Sequence, residues 1–210
     1  MLSHLQIPTS EFESQTPSPE TIDNATRLFC EHGALWLKSV FSTEFIESLL
    51  KAYLKRYENL SPRELNSRFS KVGDARFMIT VKIKGAFNTP ELYANPILMP
   101  ILSKLLGPPV ISSFGSVVSF PGAEDQPIHY DHPPLFESNT LCNELPPYAI
   151  TVVIPLVDIE LETGSTAIWE GSHRAQESRE LLQRLNAEPS WEGAAIPLPR
   201  AGDVLSLIHI

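Results

Sequence analysis

The texture of the chain changes at Val110, and that change narrows more than any other feature what it can fold into. Before it, apolar residues recur with helical period; after it come short β-rich segments at 110–120, 127–131, 148–156, 165–169 and 203–208, separated by turns that carry Pro or Gly. Helices first and strands afterwards predict an α+β fold, with helices packed on a double-sheet β core of the jelly-roll or cupin type. Nineteen prolines against ten glycines fit stiff connections that hold a cleft open.

The punctuation ahead of Val110 is local and specific. Residues 1–18 are polar and rich in Ser, Thr and Pro, and are expected as a flexible arm before a single domain over 19–204. One helix is expected from Pro19 to a stop at Gly33. Ser42 caps a second, in which Phe45, Ile46, Leu49, Leu50, Tyr53, Leu54 and Tyr57 repeat with helical period. A third has Asn95 as its cap, Pro96 in the first turn and Gly107 past its end; Pro100 inside it predicts a bend or a late start. Ala34 to Lys38 and Arg76 to Ile83 alternate like strands, the second with Phe77, Ile79, Val81 and Ile83 on one face. Residues 59–73 read as a loop with a helical turn near Glu64, and Ala175 to Leu185 as a modest amphipathic helix.

Charge and cysteine usage exclude whole classes of function. The formal charge of −9, from 25 acids against 16 bases, argues against a phosphate-backbone partner, and no basic cluster interleaves with aromatics. Cys30 and Cys142 form neither a disulfide framework nor a metal knuckle, which suits a reducing compartment. With no apolar run of spanning length and no basic-then-apolar start, the expectation is a soluble cytoplasmic protein with no membrane or nucleic-acid partner.

Chemistry concentrates in Gln126-Pro127-Ile128-His129-Tyr130-Asp131-His132-Pro133. Two residues apart in an extended segment, an imidazole and a carboxylate leave the same face and can close on one metal ion. They supply two legs of the facial arrangement of two histidines and one carboxylate that holds non-haem Fe(II). The pair alone is also what a turn with a capping Asp and a packed His looks like.

The order of weaker motifs around it carries more information. Pro121 to Asp131, then 149–157, then Gly164, then Gly171-Ser172-His173-Arg174, then Gly202-Asp203-Val204 form a series that resembles the phytanoyl-CoA dioxygenase family from about Gly33 to Asp203. The resemblance implies Fe(II)- and 2-oxoglutarate-dependent oxygenation on a double-stranded β-helix, with His129 and Asp131 as iron ligands. It further implies that dioxygen and a small molecule are substrates, 2-oxoglutarate leaves as succinate, and the product is hydroxylated. Related halogenases leave the carboxylate position small, so Asp131 points to hydroxylation. Trp169-Glu170 stands where the family more often has an apolar residue and Pro, a departure expected to alter the turn and not the metal.

Neighbouring polar residues have plainer readings alongside functional ones. Gln126 is a candidate for orienting a ligand or the co-substrate, or an exposed amide at a strand entry. His132 is out of phase with His129 and belongs to the mouth or the turn before Pro133, and His173 stabilises a turn by hydrogen bonding. Lys82, Lys84 and Arg76 could reach an acidic co-substrate or could be solvated.

In the family, Gly-Asp opens the strand that carries a distal iron-binding His, and an Arg further on pairs with 2-oxoglutarate. Here seven residues follow Asp203, His209 lies six beyond it, and no Arg follows. Residues 205–210 also match one reading frame of a common transposase adapter. The expectation is therefore a C-terminally truncated chain, its last strands missing, with 205–210 a non-native tail and little activity of its own. Two other classes stay open: a non-catalytic jelly-roll binding module, and a cupin-like metal-dependent isomerase or lyase that does not use 2-oxoglutarate.

Overall fold

The structure is a computed structural model that describes residues 2–57, 60–133, 135, 145–173 and 175–208, with backbone alone for Pro62 and 175–179. In chain order its elements are β1 (His4–Gln6), α1 (Thr9–Ser14), α2 (Pro19–His32), β2 (Ala34–Lys38), α3 (Thr43–Tyr57), α4 (Pro62–Arg68), β3 (Ser70–Lys71) and β4 (Arg76–Thr80). A 3-10 turn (Gly85–Phe87) follows, then α5 (Pro90–Tyr93), α6 (Leu98–Leu106), β5 (Gly115–Ser119), β6 (Thr151–Val153), α7 (Ala175–Ala187) and β7 (Val204–Leu207). This is an α+β chain. It divides into two compact units: Met1–Ile46, Pro96–Pro109 and Ile128–Ile210 in one, Glu47–Asn95 and Val110–Pro127 in the other.

The first unit is built on a four-stranded sheet of order β1-β2-β7-β6. Every residue of β7 is buried. It pairs antiparallel with β2, Ala34 against Leu207, and with β6, Thr151 against the same Leu207. Residues 205–207 are thus the middle of a sheet. Leu205 and Leu207 pack with Leu2, Ala34, Ile168 and Ala195, and Trp36 closes over them. Burying two leucines contributes about 2 kcal/mol each.

Residues of the N-terminal arm join the same sheet. Leu2 and Ile7 are each only 2% exposed, and β1 adds to β2 in parallel with Leu5 opposite Leu37. The polar, Ser- and Thr-bearing stretch hides a short apolar alternation, Leu5-x-Ile7, that a sheet edge can accept.

Helix α2 forms as its punctuation requires. The Ser18 hydroxyl accepts from the Thr21 N–H at 3.1 Å, and Gly33 ends the helix at φ 75° with its N–H on Phe29 O. Helix α6 starts two residues later than the Asn95 cap predicts, at Leu98 with Ile97 in the cap position. That late start settles the conflict at Pro100, which falls in the first turn where its missing N–H has no intrahelical partner to lose.

The second unit packs α4 and part of α3 on a three-stranded sheet of order β3-β4-β5. Leu65, Phe77 and Ile79 are its buried centre, with Tyr53, Tyr57, Phe69 and Phe120 around them. The Tyr53 hydroxyl meets Ser116 at 2.8 Å. Strand β4 ends at Thr80, so Ile83 is 46% exposed and not on the core face. Arg56 explains the stop: its guanidinium donates to the carbonyls of Lys82 and Lys84 at 3.1 Å each, taking acceptors a ladder would use. The loop expected at 59–73 contains α4, opened by a capping box in which Ser61 and Glu64 bond each other's backbone N–H. Among the described residues no helix is long and apolar enough to cross a membrane.

Candidate metal centre

Residues 127–131 do not form the strand that their alternation predicts; the segment is irregular. Pro127 and Pro133 bracket it and lack the N–H a ladder needs. Side chains of the first unit hold it instead. Asn186 of α7 donates its amide to Ile128 O at 3.3 Å, the His132 Nε2 meets Thr151 Oγ1 of β6 at 3.1 Å, and the Tyr148 hydroxyl donates to Pro133 O at 2.6 Å. His132 and Tyr148 also meet edge to face, ring centres 6.2 Å apart. His132 therefore anchors the turn to β6.

Within that frame His129 and Asp131 converge. The His129 Nε2 lies 3.8 Å from Asp131 Oδ1, with the imidazole 44% and the carboxylate 20% exposed. Two ligand atoms each about 2.1 Å from a first-row divalent cation stand about 3 Å apart at a right angle and about 4.2 Å apart when opposed. The observed separation falls inside that range. A neutral imidazole and a carboxylate suit Fe(II), and the donor set present fits that metal. Among the described residues no three His, Cys, Asp or Glu side chains cluster as a complete metal site. His209 lies outside the described residues, as do Cys142 and Arg174.

The other candidates belong to the second unit. Gln126 belongs to the second unit, where its amide donates to Val72 O at 2.9 Å. Lys82 and Lys84 are exposed. Arg76 donates from Nε to the Ser119 hydroxyl at 3.0 Å.

The Gly-Ser-His turn closes the end of α2. Gly171 N–H donates to His32 O at 2.8 Å, and the His173 Nε2 meets Cys30 O at 3.0 Å. The Glu170 carboxylate, at the position that departs from the family pattern, pairs with His32 Nδ1 at 2.9 Å. Glu170 thus ties the turn to the end of the helix. A Cβ on Gly33 would stand 2.4 Å from the His173 Nδ1, at a φ that L side chains rarely adopt. Gly33→Ala is expected to cost about 2–3 kcal/mol, checked by the denaturant midpoint.

Asp203 is the polar residue whose role spacing alone did not reveal. Only 7% exposed, it accepts from Ser39 N at 3.0 Å on Oδ1, and from Trp36 Nε1 at 2.9 Å and Arg200 N at 3.0 Å on Oδ2. Beside it, Gly202 O accepts from both Val40 N and Phe41 N at 2.9 Å. The Gly-Asp motif is a lock between the loop after β2 and the start of β7. Its one signal in the sequence is that motif's place in the series.

Residues 29–209 match the family described as Phytanoyl-CoA dioxygenase (PhyH), and the chain belongs to that family. Among solved structures it is similar to HygX from Streptomyces hygroscopicus with nickel, 2-oxoglutarate and hygromycin B bound. The TM-score there is 0.57 at 16% identity, over 88% of this chain and 77% of that one. It is also similar to SnoN, the non-haem alpha-ketoglutarate-dependent epimerase from nogalamycin biosynthesis, with TM-score 0.60 at 16% identity over 91% and 74%. At that identity the likeness is one of fold.

Proposed function

We propose that the protein is a non-haem Fe(II)- and 2-oxoglutarate-dependent oxygenase on a double-stranded β-helix, hydroxylating a small molecule. The observation that carries this is the 3.8 Å approach of the His129 nitrogen and the Asp131 oxygen in a chain of this family. Bound Fe(II), with 2-oxoglutarate and dioxygen, supplies oxidative decarboxylation to succinate coupled to oxidation of a substrate C–H bond. His129 offers its Nε2 lone pair, and Asp131 offers an anion that offsets the cation's charge. Tyr148, Thr151 and Asn186 keep the two from drifting apart by holding the segment at both ends. HygX and SnoN, each bearing 2-oxoglutarate in a structure of this fold, support the choice of co-substrate.

SnoN, being an epimerase, favours a second outcome on the same cofactors: stereochemical inversion without net oxygen gain. Product mass separates the two, since hydroxylation adds one oxygen atom. For the cofactors themselves, anaerobic titration of Fe(II) and 2-oxoglutarate is expected to give a visible metal-to-ligand charge-transfer band that needs both components. Iron binding indifferent to 2-oxoglutarate would point to the isomerase or lyase class, and no iron binding at all to a non-catalytic module.

A further inference from the structure

The first unit also holds a cleft of about 820 Å³ whose lining includes neither His129 nor Asp131. Part of the lining is α7, where Arg184 stands three and four residues after Leu181 and Glu180, so that the three share one stripe of the helix. The rest is Trp169, the turn at 170–172 and residues 193–195. That side is fixed. The Trp169 indole donates to Glu192 O at 3.2 Å and stacks on Trp191 with ring centres 6.1 Å apart, while Ala195 and Ile168 exchange both backbone hydrogen bonds, at 2.7 and 2.8 Å. A Cβ on Gly171 or Gly193 would meet nothing within 4 Å, so the space beside them is open.

The charges along the cleft are of both signs. Glu170 is engaged by His32, whereas the Glu180 carboxylate and the Arg184 guanidinium, one helical turn apart, carry no hydrogen bond or ion pair among the described residues. An ion of either sign would meet one of them as an opposite charge and the other as a like charge. A hydroxyl group both donates and accepts, so neighbouring hydroxyls satisfy a carboxylate and a guanidinium together and bring no net charge. Leu181, Ala194 and Ala195 set apolar surface beside that polar edge.

We propose that this cleft binds a neutral polyhydroxylated ring of the size of a mono- or disaccharide. Glu180 accepts from one hydroxyl, Arg184 donates to its neighbour, and the C–H face of the ring lies on Leu181, Ala194 and Trp169. The volume falls within the roughly 300–1,000 Å³ of small-molecule sites. Nothing in this assignment depends on iron or 2-oxoglutarate.

The test is calorimetric titration of the wild-type chain and its variants with methyl glucoside, methyl galactoside, maltose and lactose, and with leucine as a zwitterion and butylamine as a cation. Indole emission is a second readout, because Trp169 lines the cleft. At least one sugar is expected to bind and shift that emission. Glu180→Ala and Arg184→Ala, at exposed helix positions where alanine keeps the helix, are each expected to weaken it by about tenfold. Ala194→Leu, which fills the cleft, is expected to weaken it as well. The charge-transfer band with Fe(II) and 2-oxoglutarate should be the same in all three variants. Wild type that binds none of the sugars overturns the proposal, as do folded Glu180→Ala and Arg184→Ala that bind within about twofold of wild type. Leucine or butylamine binding more tightly than every sugar also overturns it and gives the cleft to a charged ligand. A missing charge-transfer band with sugar binding intact defeats the oxygenase reading and leaves this site standing.

Discussion

Replacing Asp203 with alanine is expected to lower the stability of the chain by about 3–5 kcal/mol, a large share of what a domain of ordinary stability has. The carboxylate accepts three N–H donors, from Ser39, Trp36 and Arg200. Its removal leaves them with no acceptor in a site that is 7% exposed, at about 1–3 kcal/mol for each unsatisfied buried donor, and less than additively because they share one space. Ser39 adds to the loss. Its φ of 57° is a left-handed conformation that a non-glycine residue holds at a cost, and the bond to Asp203 is what fixes it. Asp203→Asn should fall between, since one amide oxygen can still serve Trp36 and Arg200 while its NH2 faces the Ser39 N–H. Equilibrium denaturation reads both variants. A loss below about 1 kcal/mol for the alanine variant would show that this carboxylate does not lock the sheet.

Asp131→Ala is expected to have the opposite signature: little change in the melting of the metal-free protein, and Fe(II) affinity reduced by about a hundredfold or more. Substitutions one shell away from a metal already weaken it by about 10- to 100-fold, so loss of an anionic ligand sets that as a floor. The segment's anchors at Ile128, His132 and Pro133 do not pass through Asp131, which is why the fold should tolerate the change. His129→Ala should behave alike. The charge-transfer band on adding Fe(II) and 2-oxoglutarate is the readout, and a band of near wild-type affinity in either variant would refute the ligand assignment.

Local features were the ones legible in advance. The start of α2 at Pro19, its end at Gly33 and the onset of α3 behind Ser42, whose hydroxyl accepts from Phe45 N at 3.2 Å, depend on residues three or four apart. Ser61-x-x-Glu64 was equally local and announces α4, although the charged surroundings suggested a loop. Strand extents were read less well. Alternation at 165–169 yields only a bridge between Ile168 and Ala195, and alternation at 127–131 yields no strand, because pairing depends on a partner at the right height and not on the segment itself.

By itself the sequence determined the order of motifs, the helix caps and the two-residue spacing that lets His129 and Asp131 share a face. Only the tertiary structure decided that residues 205–207 lie mid-sheet, that the Gly-Ser-His turn closes α2, and that Asp203 meets Ser39 and Trp36 across 164 and 167 residues of chain. Caps and spacings are set by the few torsions between near neighbours. A hydrogen bond between residues that far apart exists only once the whole sheet has brought its ends together.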